Sequence, residues 1–257
     1  MYYYIFDIRK CKKRAQVEDI KNYLLSLGIS GEYTYPSSAQ TIDELIDVGL
    51  SKQFNTIVGI GGDEIANAIA GKLCGRTEAM GIIPLEVSPD LSALIGAKNW
   101  REGCENLRFR KIQEIRIGKT ANNHAFITNV NLDIKSPLEV TIEFKDFLVQ
   151  AKVANLTISN FSLDLPKLNE NFLDITMSSI NPKESLLHSI GSMLGLKNEN
   201  KGLSLIRARS LRIFTKYQTP LLCGEYSIAK TPQLLEISDE KIRLIIARKG
   251  QTFWGTQ

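Results

Sequence analysis

Between residues 56 and 71 the chain reads TIVGIGGDEIANAIAG, an apolar run that passes through two glycines and two acids into a helical pattern. Gly61 and Gly62 let the backbone bend sharply and approach a ligand with no Cβ in the way. The free N–H groups and the dipole of the helix that follows favour an anion there, so the turn is a candidate phosphate cradle. Asp63 suits a metal-bound water or a ligand hydroxyl or amine, and its favoured role is N-cap of a helix beginning at Ile65. Glu64 is ill matched to a phosphate. A carboxylate about 4 Å from a phosphate charge costs about 4 kcal/mol at an effective dielectric of about 20, roughly a thousandfold in affinity. Exposure to solvent, a metal, or a cation among Lys12, Lys13 and Arg14 would relieve it. The stretch RKCKKR (9–14) lies on the same rim and suits phosphates, anionic lipid headgroups or plain solvation.

Other reactive material is sparse. Two histidines, His124 and His188, leave little for a histidine metal site or general base. Cys11, Cys74, Cys104 and Cys223 form no CxxC pair and read as reduced thiols. The net charge of +4 permits anionic partners without requiring them. Arg207, Arg209 and Arg212 have no aromatic interleaving, so nucleic acid is not expected. No apolar run reaches the ~18 residues of a membrane span. The opening MYYYIFDIRK reads as a strand rather than a signal peptide, and a cytoplasmic chain that touches membranes from outside is expected. Met177, Met193 and the tyrosines of residues 2–4 read as packing, and Trp254 as a docking anchor.

The elements that must hold the turn come in two rhythms. Strands at 2–8, 31–35, 56–60 and 80–85 alternate with helical patterns at 16–28, 41–50 and 64–73, the second opened by Thr41 and Glu44 at capping-box spacing. DLSALIG and CENLRF read as short helical pieces. This order predicts an α/β three-layer domain with a parallel sheet, whose carboxyl rim holds residues 60–63 and 85–90. From about residue 111 the segments are short and alternating, with Leu138, Val140, Ile142 and Phe144 on one side. That pattern predicts an antiparallel β-sandwich. Residues 181–195 read as its one helix. The boundary falls near 118, giving a nucleotide-binding domain over 1–118 and a sandwich over 119–257, whose last segment can return to the first domain.

The motifs resemble the diacylglycerol kinase catalytic family, which also includes sphingosine kinases and bacterial relatives. Gly61, Gly62 and Asp63 match the start of its Gly-Gly-Asp-Gly-Thr. Pro84, Leu85 and Asp90 match its Pro-Leu-Gly-Thr-Gly-Asn-Asp. Pro166, Leu173 and Asp174 match a later Pro…Leu-Asp segment, HAFITNVNLD matches a strand, and Gly224-Glu225 matches an Asp-Gly-Glu turn. The resemblance implies transfer of the ATP γ-phosphoryl group, as its Mg²⁺ complex, to the hydroxyl of a diacylglycerol-type lipid at a membrane surface. It implies Glu225 as general base, Asp63 as the acid at nucleotide and metal, and Gly61, Gly62, Glu64 and Asp90 beside the nucleotide. No structural metal site is carried over. The chain departs from the family at Glu64 and Ile65, at Glu86-Val87-Ser88-Pro89, and at DIRKCKK (7–13), where a glycine-containing loop is usual. These departures leave a weakened or inactive relative, binding lipid or nucleotide, as the alternative. NAD kinases and phosphofructokinases also carry a Gly-Gly-Asp turn, but the Pro84-Leu85 landmark and the order of the later motifs favour the lipid kinases.

Overall fold

In the first strand, Tyr2–Phe6 (β1), Tyr3 and Ile5 join one core cluster and Tyr4 and Phe6 another, all four buried. Alternate side chains leave a strand on opposite faces, so β1 has to be covered on both. The computed structural model describes residues 1–11, 13, 15–161, 171–179 and 203–248. It covers β1 with helices on both sides. In chain order the first half holds β1, Ala15–Ser26 (α1), Gly31–Thr34 (β2), Ile42–Ser51 (α2), Thr56–Gly61 (β3), Asp63–Leu73 (α3), Ala79–Pro84 (β4), Pro89–Ile95 (α4) and Trp100–Phe109 (α5). Val17, Ile20 and Leu24 of α1 and Leu107 of α5 pack with Tyr4 and Phe6. Leu45 and Ile46 of α2, Ile65 and Ile69 of α3, and Leu91 of α4 pack with Tyr3 and Ile5.

The strands run parallel in the order β2-β1-β3-β4. The chain therefore steps outward from β1 to β2, then returns past β1 to β3. Loops leaving β1 and β3 diverge at this switch point and open a crevice beyond their carboxyl ends, the usual ligand position in such sheets. Local chemistry sets the helix ends. Thr41 and Glu44 form the reciprocal capping box. CENLRF is the second part of α5, which begins at Trp100 because Asn99 caps it through Glu102 N.

The second half is antiparallel: Lys111–Thr120 (β5), Ala125–Phe126 (β6), Asn129–Leu132 (β7), Leu138–Glu143 (β8), Leu148–Ser159 (β9), Leu173–Ser179 (β10), Leu203–Ala208 (β11), Ser210–Thr215 (β12), Pro220–Cys223 (β13), Tyr226–Lys230 (β14) and Gln233–Ile246 (β15). These strands surround a core of their own that includes Val140, Ile142, Leu156, Ile158, Ile213, Leu221 and Leu235. β15 is common to both halves. One edge pairs with β5 from Leu235 to Ile246. The other pairs with β12 near Gln233 and, running parallel, with β4 at Arg243 and Leu244. No helix among the described residues is long and apolar enough to cross a membrane. The helix expected at 181–195, together with Lys12, Arg14, Pro166, His188, Met193 and Trp254, lies outside the described residues.

Candidate functional site at the sheet rim

Three loops converge on the switch-point crevice. β3 ends at Gly61, whose carbonyl accepts from Leu85 N at 3.0 Å. A Cβ on Gly62 would lie 2.8 Å from the Glu86 carbonyl oxygen, so only glycine lets the loop after β4 approach this closely. Part of the glycine turn's freedom is thus used by the chain's own backbone.

Asp63 does not cap the helix. α3 begins at Asp63 itself, with Gly62 as an N-cap that makes no side-chain bond. The Asp63 carboxylate instead accepts from Ser88 N at 2.8 Å and Ser88 Oγ at 2.7 Å. Ser88 in turn accepts from Leu91 N and caps α4, with Pro89 in the first turn. The helix start lies earlier than expected because Ser88 offers two donors to a carboxylate at the first helical position, where capping geometry is no longer available. Ser-Pro before an apolar run is a sequence signal for a helix start, and it marks Ser88 in hindsight.

Glu64 meets Arg9, a cation outside the set Lys12, Lys13 and Arg14 named from the sequence; Lys12 and Arg14 lie outside the described residues. Arg9 Nη2 stands 3.4 Å from Glu64 Oε2. Arg9 is aimed there by Asp7, a buried acid whose carboxylate takes Arg9 Nε at 2.9 Å and Nη2 at 3.1 Å. This bidentate hold raises the Arg9 pKa further above its ordinary value. Lys10 bridges the other acids: its Nζ is 3.4 Å from Glu86 and 3.9 Å from Glu225. Glu225 is 96% exposed, at the tip of the β13–β14 turn. Gly224 before it has φ 62° and faces Asp63; a Cβ there would lie 3.7 Å from Asp63 Oδ2. The fold therefore brings Gly61, Gly62, Asp63, Glu64 and Glu225 to one mouth, joined by Arg9 and Lys10. Asp90, in the first turn of α4, accepts from Asn129 Nδ2 of β7 at 2.5 Å. Among the described residues, the acids that Arg9 and Lys10 meet or adjoin at this mouth are Asp7, Asp63, Glu64, Glu86 and Glu225. Among the described residues, no three His, Cys, Asp or Glu side chains converge as a metal cage.

Beside Glu64 a cleft of about 580 Å³ runs between α2, α3, the β5–β6 turn and β14, with Thr41, Asn67, Lys72, His124 and Tyr226 among its walls. Its walls at Asn67 and Tyr226 belong to a largely buried polar cluster that no local sequence pattern signals. Asn67 Nδ2 donates to Tyr226 Oη at 2.6 Å and to Cys223 Sγ at 3.0 Å, and its Oδ1 accepts from Ile127 N at 3.0 Å. The Cys223 thiol donates to the Asn129 carbonyl at 3.1 Å. Burial, with the Asp63 carboxylate adding to it, pushes the Cys223 thiol up to about 12 from 9.0, and burial alone does most of the same at Cys104. The native chain holds these protons where the unfolded chain releases them. The stability they contribute is complete below about pH 9 and is lost as pH rises toward 12. A thiol reagent at pH 8 should therefore label half-buried Cys11 and Cys74 in the native chain, and Cys104 and Cys223 only on unfolding. Mass spectrometry of the labelled peptides checks this.

No family model matches the sequence, and no curated protein matches it. Solved structures do. A Bacillus anthracis str. Sterne protein described as a "putative diacylglycerol kinase" superposes with a TM-score of 0.76 at 14% identity, covering 96% of each chain. A structure described as a diacylglycerol kinase from the same strain gives 0.73 at 13% identity, again with 96% of each chain covered. The resemblance read from the motifs thus holds at the level of architecture: over nearly its whole length, this chain has the fold of those diacylglycerol kinase structures.

Proposed function

We propose that the chain is a lipid kinase-like phosphotransferase that moves the γ-phosphoryl group of ATP to a lipid hydroxyl of diacylglycerol type, working on the cytoplasmic face of a membrane. One observation carries the reading: Gly224 of the Gly224-Glu225 turn packs against Asp63, so the acid of the glycine turn and the candidate general base share a mouth. The first-turn amides of α3 suit an anion, and Arg9 and Lys10 supply charge from the loop after β1. The cleft beside Glu64 has the volume for a nucleoside. Mg²⁺ fits this acid-rich rim, because the ion is ordinarily held by one or two carboxylates and the phosphates rather than by an all-protein cage. Asp63, the acid of the turn, is the carboxylate that would hold the ion, and the ion would offset phosphate charge against it. Glu225, exposed at the mouth, accepts the proton of the acceptor hydroxyl.

A second reading has its own support. Arg9 and Lys10 are already engaged by Asp7, Glu64, Glu86 and Glu225, and both oxygens of Asp63 are held by Ser88. A chain whose rim is satisfied internally binds lipid or nucleotide without turnover. Titration with a fluorescent ATP analogue and Mg²⁺, alongside transfer of labelled phosphate to diacylglycerol in mixed micelles, separates the two. The kinase reading expects a Kd below about 1 mM, equivalent to about 4 kcal/mol, and labelled lipid. Weaker binding with no labelled product leaves only the second.

A further inference from the structure

Asn67 lies one helical turn beyond Asp63 on α3, so both project to the same side of the helix. Asp63 lies beneath Gly224, while Asn67 grips Cys223 and Tyr226, the residues that bracket Gly224-Glu225. Asn67 is 5% exposed, and its side chain bonds to residues from the second half of the chain. Its amide orientation follows from its partners: Ile127 N is a donor, so Oδ1 faces it, and the NH₂ group faces the sulfur and the phenol oxygen.

We infer that Asn67 is a positioning residue that sets where Glu225 stands relative to Asp63. One rigid helix carries the acid of the glycine turn at its first position and, four residues on, the clamp for the turn bearing the candidate base. The spacing between the two acids is then fixed by α3 rather than by how the two halves of the chain happen to sit. An amide suits the task because one planar group supplies two donors and an acceptor. Aspartate lacks the donors, and serine has a single hydrogen to share. Tyr226 and Cys223 are both held in neutral form by burial, so the clamp is a network of uncharged bonds and does not compete with the ionic rim.

The catalytic part of this inference rests on the kinase reading; the geometric part does not. The experiment crosses Asn67→Ser with Glu225→Gln in the full chain, using labelled phosphate transfer to diacylglycerol. Asn67→Ser should lower kcat by about tenfold to a hundredfold, the range for a small misplacement of a catalytic group, with KM for ATP within about twofold. In the Glu225→Gln background it should add less than about twofold, because a residue acting through Glu225 has nothing left to position. An equal loss in both backgrounds overturns the inference. Hydrogen–deuterium exchange gives an arm that needs no turnover. Faster exchange confined to residues 220–228 in Asn67→Ser supports the clamp, and unchanged exchange there overturns it. Tyr226→Phe, which removes one of the two acceptors, should show the same pattern at smaller amplitude and stands in if Asn67→Ser does not fold. Absence of turnover in the unaltered chain sinks the kinase reading alone.

Discussion

Replacing Glu225 by glutamine should lower phosphoryl transfer to diacylglycerol by about 10²–10⁴-fold, the usual contribution of a general base, while Mg²⁺·ATP binds at least as tightly as before. The two halves of this result have separate causes. Glutamine keeps the size of the side chain but cannot take the acceptor's proton, so the loss falls on kcat. The ground state gains because Lys10 is released from a carboxylate 3.9 Å away and is left to Glu86 and the incoming phosphates. Glu225 is 96% exposed, so its removal leaves no buried group unpaired and stability should hardly move. Single-turnover measurement at saturating ATP, with Tm as a folding control, reads all three quantities. Undiminished transfer would show that the proton leaves by another route.

Replacing Glu64 by glutamine should have the opposite sign, tightening ATP binding by about tenfold. The unscreened estimate, about 4 kcal/mol for a carboxylate about 4 Å from a phosphate charge, gives roughly a thousandfold. Glu64 is 48% exposed, so solvent screening reduces it to a fraction of that value. The substitution also frees Arg9 from its second carboxylate, leaving the guanidinium on Asp7 but open toward the turn. The gain should shrink as salt is raised from 0.05 to 0.5 M, since both effects are Coulombic at a partly exposed rim. Calorimetric titration of both proteins at two ionic strengths checks it. If Glu64→Gln weakens binding, the carboxylate is a metal ligand rather than an obstacle, and the sign of the charge argument is reversed. Together the two variants divide the site by role. One group acts chiefly on the proton transfer; the other opposes the donor and takes no part in that transfer.

Much of the framework was legible in the residues themselves. The apolar runs at β1, β3 and β4, the capping box at Thr41 and Glu44, the stops at Gly28 and Gly75 and the alternation in β8 are all local signals. They depend on neighbours within a turn of helix or two residues of strand. The glycine turn was legible for the same reason, since a strand, two glycines and a helix start are contiguous. Ser88 sits at the margin: Ser-Pro marks a helix start, but nothing nearby in sequence says that Asp63 will accept from it.

What the tertiary structure alone decided are pairings between segments far apart in the chain. β15 returns more than a hundred residues after β4 and β5 to pair with both, and also pairs with the nearer β12. Lys10 finds Glu86 and Glu225, Arg9 finds Glu64, and Asn67 finds Cys223 and Tyr226. Each of these choices is made by the order of strands and the closeness permitted at Gly62 and Gly224, not by spacing along the chain. Sequence periodicity records which face of an element is buried. Which charged groups then meet at the rim is set by where the sheet brings the loop ends, and that depends on every strand at once.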